Sequence, residues 1–141
     1  MVPKGDRSEN QQQFIVTARQ LKIQTLINCE KLPKRHQHSF GTPLIESANQ
    51  VKHLVAEANC YRNDELADAS ERAMIFKEAL AILKAMSSDI DDFIEMNRMG
   101  HPTGLSTDLI ENWQAIISKE IALINGVMNS DRKCVQNSKH R

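Results

Sequence analysis

Residues 31–59 read KLPKRHQHSFGTPLIESANQVKHLVAEAN, and the fold follows from this stretch. Leu32-Pro33 closes a helix, because proline excludes the helical conformation from the residue before it. A short basic connection follows, with Lys34, Arg35, His36 and His38. Thr42-Pro43 then opens a second helix: threonine caps free N–H groups, and a proline in the first turn lacks the donor that would be orphaned there. Beyond it, Leu44, Ala48, Val51, Val55 and Ala58 recur in steps of three and four, an apolar stripe on one helical face. Two helices joined by so short a connection fold back on each other, which makes the stretch one corner of a helical bundle.

The flanking sequence repeats that pattern. Ser8 and Gln11 have capping-box spacing and start a first helix that runs to about Lys31, with Ile15, Val16, Ile23, Leu26 and Ile27 as its core candidates. The second helix is expected from Pro43 to about Arg62, and Asn63 caps a third, with Asp64 and Glu65 favourably placed at its positive end. Leu66, Ala69, Ala73, Phe76, Leu80 and Leu83 form the third stripe. At Ser87-Ser88 that helix either continues, straight or kinked, through Ile90, Phe93, Ile94 and Met96 to Gly100, or breaks with Ser88 capping a short helix; the absence of Gly and Pro favours the first. Residues 99–104 form a loop, and Ser106 or Thr107 caps a fourth helix. The pattern predicts an all-α protein, an antiparallel up-and-down four-helix bundle over residues 8–128, with flexible tails at 1–7 and 129–141.

Composition agrees with helix packing on helix: aromatics make up only 4% of the chain, and Ala, Leu, Ile and Met supply the apolar positions. No apolar run approaches the ~18 residues of a membrane span, and no apolar segment precedes Phe14, so the chain reads as cytoplasmic with no membrane partner. Cys29, Cys60 and Cys134 lack paired spacing and read as reduced thiols. Lys and Arg balance Asp and Glu at 18 each, but unevenly: the first third is basic, and the third helix is acidic through Asp89, Asp91, Asp92 and Glu95.

No motif for catalysis is present: no phosphate-binding glycine loop, no nucleophile elbow, no Glu-x-x-His pair. The chain reads as a non-enzyme without cofactor or metal. His53 is a half-exposed structural histidine, and the aspartates are a solvated face rather than a metal cluster. The basic turn admits two readings. Lys34, Arg35, His36 and His38, with Lys31 beside them and Arg19 and Lys22 in support, can bind phosphates. Alternatively, the same cations offset the negative end of the first helix. The fourth helix carries more apolar residues than one inward stripe holds, so Trp113, Ile117 and Ile121 are expected at a homo-oligomer interface.

The Phe14-Ile-Val segment, Ile23, Leu26, the Leu32-Pro-Lys-Arg-His36 turn, Phe40-Gly41, the Leu44/Ala48/Val51 helix and Glu57-Ala-Asn59 together resemble one known family. It comprises the accessory variability determinant proteins of diversity-generating retroelements, with the related four-helix-bundle proteins encoded in intervening sequences of bacterial large-subunit rRNA. Leu66, Ala69 and the Trp113 helix extend the likeness over roughly residues 14–128. The resemblance implies a homopentamer that is not itself an enzyme. It would bind a reverse transcriptase and its structured template RNA and support mutagenic cDNA synthesis. The neutral total charge and the acidic Asp89–Glu95 run carry an alternative: a stand-alone protein–protein interaction scaffold of the rRNA-intervening-sequence type.

Overall fold

The computed structural model describes residues 4–139, and side chains from 12 to 137. Among them are four long helices and no strand: α1 (Lys4–Glu30), α2 (Thr42–Ala58), α3 (Leu66–Arg98) and α4 (Thr107–Lys139). Each packs on two neighbours: α1 on α2 and α4, and α3 on α2 and α4. The diagonal backbones stay apart among the described residues, while side chains such as Phe14 of α1 and Phe76 of α3 meet between them, so the four apolar faces share one core. No described helix is long and apolar enough to cross a membrane.

The α2 stripe lies where its periodicity predicts, with Leu44, Ala48, Val51, Val55 and Ala58 all buried. Helix α3 runs unbroken through Ser87-Ser88. Ser87 even joins the packing there: its hydroxyl donates to Gln114 Oε1 at 2.8 Å, and Gln114 Nε2 returns a bond to the Ser87 carbonyl. At the start of α4, Ser106 Oγ accepts the Leu109 N–H at 3.2 Å, the expected cap.

Helix α1 turns the opposite face inward from the one its aliphatic residues suggest. Val16, Ile23, Leu26 and Ile27 are exposed, and Ile15 is only half-buried. The core side carries Phe14, Thr17, Ala18, Leu21, Thr25 and Asn28. Of the polar members of that face, Thr25 has a specific use. Trp113 Nε1 donates to Thr25 Oγ1 at 3.0 Å, and that hydroxyl donates on to the Leu21 carbonyl at 2.7 Å. A buried indole N–H needs an acceptor, and Thr25 on this face of α1 provides it.

The helix ends also differ from expectation. α2 stops at Ala58 rather than Arg62, and α3 begins at Leu66 with no side-chain cap. Asn63 is drawn away from the expected cap because its amide donates to Asp131 Oδ1 at 3.2 Å. The expected flexible tails are helical from Lys4 and as far as Lys139, and residues 1–3 and 140–141 lie outside the described ones. For α4 the cause is visible. Asp131, which sequence places in the tail, is buried and pairs with Arg72 of α3 at 2.6 Å, and Met128 is buried one turn before it. Arg72 also donates to the Ala58 and Tyr61 carbonyls and lies over the Phe76 ring, so one guanidinium ties α3 to α4 and closes the end of α2.

Trp113 and Ile117 are not surface residues available to a second subunit. Both sit in the protomer's own core, with Ile110, Ile124 and Met128 on the same seam, while Ile121 lies half-buried at its flank. The surplus apolar residues of α4 pack along the edges of its two neighbours. Glu120 occupies that same seam, fully buried, and neither carboxylate oxygen has a hydrogen-bond partner among the described residues. Burial pushes its carboxyl up to about 8, so it is held largely protonated at neutral pH.

Candidate functional site

The chain is helical again directly after Pro33. A turn of α-helix (Lys34–His36) and a π-helical turn (Gln37–Gly41) lead straight into α2, in place of the open loop expected before Thr42. Pro33 itself is extended (φ −54°, ψ 148°), and its carbonyl accepts the His36 and Gln37 N–H groups. Thr42 therefore lies inside the helix and caps nothing; its backbone N–H reaches back to the Gln37 carbonyl. A proline within a regular helix clashes with the carbonyl four residues earlier. The wide π turn comes immediately before Pro43 and relieves that conflict.

This turn presents the basic cluster. Lys31, Lys34, Arg35 and His38 are exposed, and His36 is half-buried. Arg35 Nε donates to His36 Nε2 at 3.2 Å, and the His36 ring lies 5.4 Å from that of Phe40. At the end of α1 the Asn28 and Cys29 carbonyls accept the Lys31 and Leu32 N–H groups, and the Gln37 amide donates to Glu30 O at 3.3 Å and, just beyond the helix, to Leu32 O at 2.9 Å. Among the described residues, no cationic side chain of the turn hydrogen-bonds a carbonyl at the end of α1. Among the described residues none of Lys31, Lys34 and Arg35 forms an ion pair. Arg19 and Lys22 do not join them: at ~1.5 Å per residue they lie roughly 18 and 14 Å back along α1 from Lys31.

The α3–α4 connection packs against the same corner. Asn97 organises it, accepting the Thr103 N–H and hydroxyl on Oδ1 at 3.0 Å each and donating from Nδ2 to the Leu105 carbonyl at 2.9 Å. Thr103 and Leu105 are buried as a result. Gly104 has φ +78°, and a Cβ added there would collide with the Lys31 carbonyl oxygen. Both connections thus form one rigid platform. Gly104→Ala is expected to lower stability by about 2 kcal/mol or more, since left-handed strain and a backbone collision add. Urea unfolding measures it; an unchanged midpoint would show that the two connections are not locked together.

The acidic part of α3 lies at this end too. Asp91 accepts a bond from Gln114 Nε2 at 2.9 Å, whereas Asp89 and Asp92 border a cleft beside Phe40. Phe40 was legible only as part of a Phe-Gly pair. In the fold it begins an aromatic series, edge-on to Phe93 at 6.0 Å, which in turn stacks on Trp113 at 6.3 Å. Among the described residues, no three His, Cys, Asp or Glu side chains are grouped to hold a metal ion, and His53 is exposed. Cys29 is buried, its thiol donating to the Gly41 carbonyl at 3.7 Å, and burial pushes it up to about 11.

The chain matches no protein-family model, no curated protein and no solved structure.

Proposed function

We propose that this protein is a non-catalytic accessory protein of a diversity-generating retroelement, acting in the cytoplasm and binding a reverse transcriptase and its structured template RNA. The reading rests on the resemblance of residues 14–128 to the accessory variability determinant family. The observation that carries the RNA half is the cluster of exposed Lys31, Lys34, Arg35 and His38 with half-buried His36, in which Lys31, Lys34 and Arg35 form no ion pair among the described residues. Lone cations on a firm platform suit phosphate oxygens, and such contacts are salt-dependent and indifferent to sequence.

The architecture we assign is the antiparallel up-and-down bundle. Trp113 near the start of α4 bonds Thr25 near the end of α1, and Phe14 meets Phe76 at 5.5 Å; both contacts support it. The assembly is a homo-oligomer, a pentamer on the family resemblance alone. Its interface is the outward face of α1 rather than α4, because Val16, Ile23, Leu26 and Ile27 leave 37–49% of their surfaces open there. Five basic turns on one rim would bind RNA more tightly than a single neutral protomer. Light scattering should therefore give a mass several times the 16.0 kDa of the chain, and Ile23→Glu should reduce it to one protomer. A clean monomer at micromolar concentration removes the ring.

For RNA, Lys34→Ala with Arg35→Ala is expected to weaken binding about tenfold for unrelated hairpins alike. The same change should flatten the logarithmic salt dependence by about 1.4, the share of two phosphate contacts. Fluorescence anisotropy across a salt series reads both. Binding that ignores salt and these substitutions would remove the turn as the RNA surface. A second reading, the protein–protein scaffold, is favoured by the Asp89 and Asp92 cleft beside Phe40. Gene neighbourhood separates the two: a reverse transcriptase beside near-identical repeats for the first, an isolated gene within an rRNA insertion for the second.

A further inference from the structure

The cleft between the π turn and α3 has a volume of about 170 Å³ and is lined by Ser39, Phe40, Pro43, Leu44, Asp89, Asp92 and Phe93. We propose that it is a docking slot for a single cationic side chain, arginine or lysine, carried on a basic segment of a partner protein. This goes beyond the RNA reading of the neighbouring turn and uses different residues.

Three properties of the slot point to that occupant. Its floor is apolar, formed by Pro43, Leu44 and the two phenylalanines, which suits the methylene stem of a long cationic side chain. The Phe40 ring remains partly open (38% of the residue's surface) and has the His36 ring 5.4 Å and the Phe93 ring 6.0 Å away, the latter nearly perpendicular to it. A fixed, half-open aromatic ring attracts a cation to its face, and fixing it in advance reduces the ordering cost of binding. Finally, Asp89 and Asp92 stand one helical turn apart at the rim. Neither takes part in any hydrogen bond or ion pair found among the described residues, and Lys34 and Arg35 do not line the slot.

The same properties turn other ligands away. Two carboxylates repel a phosphate. A metal ion would need a third ligand, and none is grouped with them among the described residues. The volume falls below the roughly 300–1,000 Å³ of clefts that enclose drug-sized molecules.

The test uses a fluorescein-labelled Gly-Ser-Gly-Arg-Lys-Gly-Ser peptide and the full chain, with anisotropy as the readout. A matched peptide with citrulline for arginine and norleucine for lysine is the neutral control. The basic peptide is expected to bind and the neutral one to fail. Asp89→Asn with Asp92→Asn should weaken binding about tenfold, and Phe40→Leu about threefold. Asp91→Asn, on the same helix but engaged with Gln114, should leave it unchanged. The proposal is overturned if the peptide does not bind at millimolar concentration. It is equally overturned if Asp91→Asn costs as much as the rim pair, or if Phe40→Leu costs nothing. An RNA hairpin measured on the same proteins keeps the two surfaces apart, since it should lose affinity on Lys34→Ala with Arg35→Ala and not on Asp89→Asn with Asp92→Asn.

Discussion

Arg72→Met is expected to destabilise the protein by roughly 3–5 kcal/mol, because it leaves Asp131 charged, buried and unpaired. Both partners are under a tenth exposed, and their contact at 2.6 Å spans 59 residues of chain. The guanidinium also donates to the Ala58 carbonyl, so its loss leaves that acceptor at the end of α2 with the Tyr61 N–H alone. The damage should be local first. Amide exchange in the last turns of α4, beyond Met128, should rise before that in the rest of the helix, since Asp131 anchors them. Removing both charges in Arg72→Met with Asp131→Leu should recover much of the loss, as paired buried charges contribute little net stability beyond what apolar groups supply. Urea unfolding of the two single variants and the double gives the coupling directly. If Arg72→Met unfolds within 1 kcal/mol of the parent, the pair does not hold the end of the molecule together.

The second large effect belongs to Glu120 and depends on pH. Its ordinary value is 4.5, and burial raises it to about 8 in the fold. Below the ordinary value the carboxyl is neutral in both the folded and the unfolded chain, and its burial carries no ionisation cost. As pH climbs from there, the unfolded chain releases the proton while the fold must keep it, so stability falls by about 1.4 kcal/mol per pH unit. The loss ends once pH passes the folded value, where the buried group ionises as well. Near pH 7 the accumulated cost is on the order of 3 kcal/mol. Glu120→Gln cannot ionise and should remove most of the slope between about pH 5 and 8. Thermal unfolding of both proteins across that range decides it. Equal slopes would mean that the carboxyl finds water or a counter-charge in solution.

Much of this protein is legible in its residues taken one helix at a time. The stripe of α2 is unambiguous because polar residues fill its other faces, so only one face can enter a core. The α4 cap and the continuity of α3 were local questions as well, each narrowed to two choices by residues a few positions apart, Ser106 or Thr107 and an unbroken or broken helix at Ser87-Ser88, and the fold took the first of each. The basic cluster on the turn after Pro33 is local in the same sense: residues this close in sequence stay close in any fold.

Tertiary structure decided what depends on distant partners. Helix α1 has two faces that both bear apolar residues, Phe14, Ala18 and Leu21 on one, Val16, Ile23 and Ile27 on the other. Its own periodicity does not choose between them; the indole of Trp113 does, by requiring the Thr25 hydroxyl. Residues 129–139 carry no apolar stripe of their own, and they stay helical against α3 through Asp131 and an arginine in the middle of the chain. Phe40 and the acidic rim of its cleft come together only because α2 and α3 pack side by side. What the chain alone determines is local, set by caps, prolines and single-face periodicity. Which of two possible faces is buried, and which charge finds a partner, is settled by groups that meet only when the helices do.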